Sequence, residues 1–494
     1  MKIVNASKLS IGPVLGHTTD NSVKVWGRAK SSSMKGIIEL YCLNSDMKIV
    51  EPLSFDEALD NTGVAHIHDV KNKLAMNADN RSIQYRVGCI AQDIVIRNDT
   101  VIEWSDIGYI SIKLAPSEPD SAFDFIFGSC RHLDMGVVDQ KKDDRCFKVI
   151  ENNKYEDAPR QADFNLFLGD QVYADHPKRG FFSWKMKKKL QSDSHYNNIY
   201  HDAWKRNYFS KVVSKCPSLM MWDDHEVLND WNADKIARKE WHETAYKHGE
   251  KYFRAYQSAL NPNNYEQGFY YSFSYGMGDF FVMDVRSDKS PLNNVLIGNK
   301  QKEAFKEWIL RPSSNIKFIV SPVPVIPDSP GYFGFLSIFI TLDLAIGSDA
   351  KERWDVFPNE REWLFDLIET YQKSESNRPV VILSGDVHCS YGAKITCKSD
   401  YASNLNVYQL VSSGFNWPLP GLNRKHFDFK NPLKIDGRFK SKLMPEFIGD
   451  IDKGDIDKVM ISHNFCYVSV THDSIKADWY SEHGNKLHSV NIDL

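Results

Sequence analysis

Phe123-Asp-Phe-Ile-Phe-Gly-Ser-Cys-Arg-His132 opens as a buried strand and ends abruptly in residues that bind metals or move protons. The arrangement returns three more times. Phe164-Asn-Leu-Phe-Leu168 runs into Gly169-Asp-Gln-Val-Tyr173, Ser218-Leu-Met-Met-Trp222 into Asp223-Asp-His-Glu226, and Pro379-Val-Val-Ile-Leu383 into Ser384-Gly-Asp-Val-His388. Short apolar runs that alternate with helical segments predict α/β architecture. Ligands bind at the carboxyl edge of such a sheet, because several strand ends converge there. Four such ends bring Cys130, Asp170, Tyr173, Asp224, His225, Asp386 and His388 toward one crevice. Carboxylates gathered without metal repel one another and take up protons, whereas two nearby cations would neutralise them. Any one Gly-Asp or Asp-His after a strand reads as an ordinary turn or cap. Four in one domain read as a site.

Working outward, helical periods follow at 236–260 (Trp241, Ala245, His248, Tyr252, Tyr256) and at 299–311 (Phe305, Trp308, Ile309). A third begins at Asn359 with a capping-box look, Glu362 lying three residues on, and continues through Trp363, Leu364, Leu367, Ile368 and Tyr371. Before the first metal-type strand the pattern is different. Val23 and Val25, then Ile38, Leu40 and Cys42, then Ile83, Tyr85 and Val87 alternate with polar neighbours, which predicts a small antiparallel β-sandwich. The two prolines between Ala115 and Asp120 break all periodicity. The expected organisation is a sandwich over 1–118 and an α/β domain over 119–494, with no internal repeat.

A chain of 494 residues suggests two or three domains. Hydrophobic residues at 42% and charged residues at 26% argue against extensive disorder. With 61 basic and 65 acidic side chains the net charge is −4, so no global basic excess points to nucleic acid. Eight cysteines without a CxxC pair exclude a disulfide scaffold and make a zinc ribbon a poor reading. The start, MKIVNASKLSIGPVLG, has neither an apolar core nor a small-residue cleavage site. A cytoplasmic protein is expected, or one exported by a route not visible in this sequence. The apolar stretch Tyr332–Ile346 is interrupted by Asp343 and falls short of the ~20 residues that a spanning helix needs.

GSCRH, GDQVYAD, WDDHEVLNDW and LSGDVH together resemble the alkaline phosphatase D (PhoD-like) metallophosphatases, within the calcineurin-like metallophosphoesterase fold. MDVR (283–286), VSPVPV (320–325) and WDVFPNEREW (354–363) support the resemblance, which covers most of 120–480. It implies a four-layer αββα metallophosphoesterase sandwich preceded by an N-terminal antiparallel β-sandwich. It also implies a dinuclear metal centre that hydrolyses phosphomonoesters or phosphodiesters. The wider fold begins with an Asp-x-His ligand pair, and here Gly-Ser-Cys stands instead, which implies Cys130 as the replacement ligand. The resemblance further implies Asp170 as the bridge, Cys130, Tyr173 and His388 around an Fe(III), and Asp224 and Asp386 around a second ion. Asn229 is an addition to that second set. Thiolate with phenolate suits Fe(III); oxygen ligation suits Ca²⁺, Mg²⁺ or Mn²⁺, with Zn²⁺ a further candidate.

Phosphoryl groups repel nucleophiles, so the expected mechanism is in-line attack by a metal-bound hydroxide between two clamping cations. His225, beside Asp224, is the candidate for protonating the leaving oxygen. Arg131, directly after Cys130, either contacts a phosphate oxygen or makes an ordinary ion pair. His132 reads as structural. Two basic stretches, 178–190 and 423–442, read first as solvated faces and alternatively as a rim that attracts an anionic substrate. Tyr332–Ile346 reads first as a buried helix and alternatively as a hydrophobic lid or membrane-surface contact, which would suit a phospholipid diester. A nucleic-acid phosphodiesterase shares the chemistry. A catalytically degenerate binding protein is the rival of another class.

Overall fold

The computed structural model describes residues 2–45, 47–77, 79–96, 100–133, 144–157, 160–175, 183–263, 268–313, 315–326, 354–375, 378–397, 405–416, 443–449 and 459–494. Two seven-stranded sheets form its centre. In the first, Ser218–Met220, Phe164–Phe167 and Phe123–Arg131 run parallel, so their carboxyl ends share one edge. The antiparallel strands Asn464–Val470, Ser474–Ser481 and Lys486–Asp493 complete that path, and Ser413–Asn416 pairs with the end of Phe123–Arg131. In the second, Gly278–Val282, Ile316–Ser321, Val380–Ser384 and Val407–Val411 are parallel neighbours.

The side-chain period of a strand explains how the layers stack. Phe123, Phe125 and Phe127 enter the core between the sheets, where they meet Phe273, Phe280 and Phe318, while Ile126 faces the opposite side. Phe125 stacks on Phe164 at 5.1 Å and meets Phe280 and Phe318 edge-on at 5.6 and 5.8 Å. These offset and edge-on pairs add to the area that they bury. Helices Arg145–Asn152, Asp193–Trp204, Asn207–Lys215 and Glu240–Tyr256 cover the outer face of the first sheet. Asn299–Leu310 and Pro358–Ser374 cover that of the second. The order is helix, sheet, sheet, helix.

The third helical period begins one residue before the expected capping box. Pro358 occupies the first turn, a position where its missing N–H costs nothing, and the preceding Phe357 makes no side-chain cap. Glu360 in that turn accepts instead from the backbone N–H groups of Leu296 and Ile297 and from Lys302.

Before Leu114, a three-stranded sheet (Ile11–Thr18, Ser22–Arg28, Thr62–His68) faces a four-stranded one (Met34–Tyr41, Lys48–Leu53, Ser82–Ala91, Ile110–Lys113). Val23, Val25, Ile38, Leu40, Cys42, Ile83, Tyr85 and Val87 share its core, as their alternation predicts. Ser22–Arg28 departs from the alternation because its other face is covered too. Trp26 Nε1 donates to Ala255 O at 2.7 Å, and the buried Lys24 reaches Asn261 O and Asn263. The sandwich therefore packs on the helical layer through a face that a free sandwich would leave in water. Among the described residues no helix is long and apolar enough to cross a membrane.

Candidate metal centre

The parallel strands of both sheets deliver their ends to one place. Arg131 N donates to Asp170 O at 2.8 Å, and Asp386 N to Ser129 Oγ at 3.0 Å, which ties an end of the first sheet to an end of the second. The backbone at this edge is unusual. Cys130, Asp170, Asp386 and His388 all adopt positive φ, at 58°, 54°, 64° and 54°. Left-handed backbone at non-glycine residues is costly and gathers at functional sites. The glycines beside them serve close approach: a Cβ on Gly169 (φ +86°) would lie 2.3 Å from Asp223 Cβ, and one on Gly385 2.3 Å from Ser129 Oγ.

Two overlapping groups of ligand atoms result, one from Asp170, Asp224 and His225 and one from Asp170, Asp223, Asp224 and Asp386. Within each group the atoms lie within 4.8 Å of one another. Asp170 belongs to both. Its Oδ2 accepts from Tyr173 Oη at 3.1 Å and from Cys130 Sγ at 3.6 Å, so the thiol and the phenol adjoin it from a further side. His388 joins through its backbone, whose N–H donates to Ser413 Oγ at 2.8 Å; its ring stands outside both groups. Asn229 lies at the exposed rim, where its N–H donates to Asp175 Oδ2 at 2.9 Å.

The electrostatics are those of a site built for cations. Burial raises the carboxyl of Asp170 far above the usual range, and the charges of Asp223, Cys130, Asp224 and Glu226 raise it further. Asp223 is raised in the same way although Arg286 opposes it. Burial pushes the Cys130 thiol up to about 12, with Asp386 adding to it, and raises the Tyr173 phenol as well. Asp223 Oδ2 and Asp224 Oδ1 are buried without a hydrogen-bond partner. Oxygens left in that state cost free energy, and cations would satisfy them. The carboxylates make an acidic cluster that could hold a metal ion, and a thiol and a phenol adjoin it.

Burial works against the imidazolium of His225, yet Asp175, Asp224 and Asp386 outweigh it and raise its pKa to about 10. Asp175 does so at close range, with Oδ1 2.7 Å from Nδ1.

With this geometry, the comparisons with known proteins are specific. A family model described as PhoD-like phosphatase matches residues 125–415. The chain belongs to that family. Alkaline phosphatase D of Bacillus subtilis (strain 168) is 24% identical over 325 residues, which cover 59% of this chain and 50% of that one. The chain thus spans about half the length of this curated relative. A solved structure described as the structure of PhoD matches with a TM-score of 0.65 at 17% identity, covering 96% of this chain and 86% of that one, and shows a shared fold.

For a PhoD-like phosphatase the structure corrects one expectation. Arg131 does not face the ligand group. It is fully buried, its Nε and a terminal nitrogen each lie 2.8 Å from the carboxylate of Asp144, and its Cζ lies 3.8 Å from the centre of the Phe209 ring. A guanidinium held in that fork has no reach to a phosphate. Four residues escaped the sequence reading of roles, although each lies in a quoted motif: Asp223, which the structure places in the second ligand group, and three beside the site. Asp175 ends GDQVYAD and orients His225. Arg286 ends MDVR, with Nε 2.5 Å from Asp223 Oδ1 and a terminal nitrogen 3.6 Å from Asp224 Oδ1. Glu226 accepts from the backbone N–H groups of Asp170, Gln171 and Asp223 and from Gln257, so one carboxylate ties two strand-end loops together. The stretches 332–346, 423–442 and 178–182 lie outside the described residues. Residues 183–190 form a helix with Lys187 and Lys188 exposed.

Proposed function

We propose that this PhoD-like chain hydrolyses phosphate esters at a two-cation centre, with 119–494 as the catalytic domain and 1–118 as a domain that braces it. The observation that carries the reading is the convergence of the buried Asp170, Asp223 and Asp224 with the half-buried Asp386, their ligand atoms within 4.8 Å of one another. Asp170 would be shared. Cys130, Tyr173 and His388 would hold an Fe(III), and Asp224 and Asp386, with Asn229 at the rim, a Ca²⁺ or similar divalent ion. A cation pair in this position supplies the positive charge that phosphoryl transfer needs and a nucleophilic water at neutral pH.

The rest falls to the chain's own side chains. Arg286 pairs with Asp223 and lies close to Asp224, which helps to aim both carboxylates. Glu226 fixes the backbone of Asp170 and Asp223. Asp175 engages Nδ1 of His225, so the proton given to the leaving oxygen is the one on Nε2. Burial excludes bulk water, which strengthens each of these interactions.

Replacing Asp170 by asparagine is the direct test. The variant should fold, as judged by circular dichroism, but lose bound metal and phosphate release. Full turnover in it would refute the site. p-Nitrophenyl phosphate against its bis-ester sorts monoester from diester hydrolysis, and wild-type protein that neither retains added metal nor turns over in its presence would favour the binding-protein reading. On sequence alone, 332–346 is proposed as a membrane-surface contact; equal liposome co-sedimentation of wild type and a 332–346 deletion would remove it.

A further inference from the structure

The sulfur of Cys130 has two hydroxyl neighbours whose arrangement goes beyond ligation itself. Ser413 Oγ lies 3.2 Å from Sγ and Ser129 Oγ lies 3.3 Å from it. Both serines are fully buried, and they sit opposite one another in the parallel pairing of Phe123–Arg131 with Ser413–Asn416. Each hydroxyl oxygen also accepts a backbone N–H from a residue that carries a candidate ligand: Ser129 from Asp386 at 3.0 Å, and Ser413 from His388 at 2.8 Å.

This second set of bonds fixes what the hydroxyls do. A serine hydroxyl has one proton and two lone pairs. With a lone pair of each taken by an N–H, the proton remains for the other close polar neighbour, the sulfur. A thiolate only accepts, so both O–H groups would donate to it. The surroundings hold both serines in place. Gly385 packs so tightly on Ser129 that a Cβ there would meet its Oγ at 2.3 Å, and the backbone N–H of Ser413 is held by Ser390 Oγ at 2.9 Å.

We infer that Ser129 and Ser413 are positioning residues that set the donor strength of the Cys130 thiolate while holding the Asp386 and His388 backbones in register with it. The inference rests on the reading of Cys130 as a ligand. Hydrogen bonds to a ligating sulfur draw charge from it and weaken its donation to the metal, one of the ways in which a protein tunes a metal site. Both donors are fully buried, which shields these bonds from bulk solvent.

The test uses the full chain loaded with Co²⁺ and reads the sulfur-to-metal charge-transfer band, which depends on the energy of the sulfur lone pairs. Cys130→Ser identifies the band by its loss. If wild type and Cys130→Ser give the same spectrum, Cys130 is no ligand, and the inference falls together with the reading beneath it. If the band is present, Ser413→Val should move it to longer wavelength, because an unbonded sulfur gives up charge more easily. Ser413→Thr, of the same shape with the hydroxyl kept, should leave it in place. Equal bands in the Val and Thr variants would overturn the inference while leaving Cys130 a ligand. Ser129→Ala, read in the same way, decides the matter if residue 413 does not tolerate the added methyl groups.

Discussion

His225 and Asp175 lie 50 residues apart in the chain and 2.7 Å apart in space, and their separation in sequence is why the pair was not legible there. From its place after Asp224, His225 reads as a candidate proton donor; what raises its affinity for the proton was not legible there. His225→Ala is expected to lower kcat by about 10²–10⁴, the range for a lost general acid. Asp175→Asn removes the carboxylate that raises His225, so its pKa falls. The alkaline limb of a kcat/KM profile, where a proton donor is lost, should then move to lower pH. An unmoved limb would take His225 out of the proton transfer. That Asp170, Asp224 and Asp386 would converge was legible for the opposite reason, since each comes shortly after its own apolar strand and the signal is local; Asp223, beside Asp224, was passed over. Arg131 shows the limit of adjacency. Standing next to Cys130 says nothing of the side to which its guanidinium turns, and its partner Asp144 comes 13 residues later.

The strands were legible as elements because both faces of each are buried, which leaves continuous apolar runs such as that of Phe123–Phe127. Which residues would meet between the sheets was not, because Phe125 finds Phe280 and Phe318 across a gap of more than 150 positions in the chain. Phe125→Ala should lower stability by about 3–5 kcal/mol, the usual loss for a buried phenylalanine, measured by urea denaturation. A loss below about 1 kcal/mol would mean that the aromatic stack does not hold the sheets together. The loops after the strands behave differently. Gly169→Ala would place a methyl group against Asp223 at positive φ, so the loop bearing Asp170 must shift. Metal content should fall in that variant by more than its stability does, compared by elemental analysis and thermal melting. The reverse would make Gly169 an ordinary turn residue.

At the scale of the molecule, the sandwich was legible but its docking was not, since Lys24 and Trp26 look like the solvent side of a two-faced strand until the helices are placed against them. Asp60 is at the centre of that contact. It pairs with Arg28 of its own sandwich at 2.8 Å and takes hydrogen bonds from His201 at 2.8 Å and Tyr256 at 2.5 Å, both on the helical layer. Burial disfavours its charge, but the bonds from His201, Arg28 and Tyr256 prevail and hold its carboxyl well below the usual range. A depressed carboxyl contributes stability above its unfolded pKa of about 4, and that contribution is lost as pH falls toward the folded value. Asp60→Asn should therefore cost about 1.5–3 kcal/mol at neutral pH and flatten the acid limb of the stability curve. A variant as stable as wild type would release Asp60 from this role.

The central claim is that the four strand ends make a cation-dependent hydrolytic centre. Elemental analysis of purified wild type beside Asp170→Asn, with phosphate release followed on the same samples, tests it most directly. The account predicts a pair of metal ions per chain, iron among them, and turnover in wild type, with both lost in the variant. Turnover by metal-free protein, or equal metal and equal turnover in the two, would contradict it.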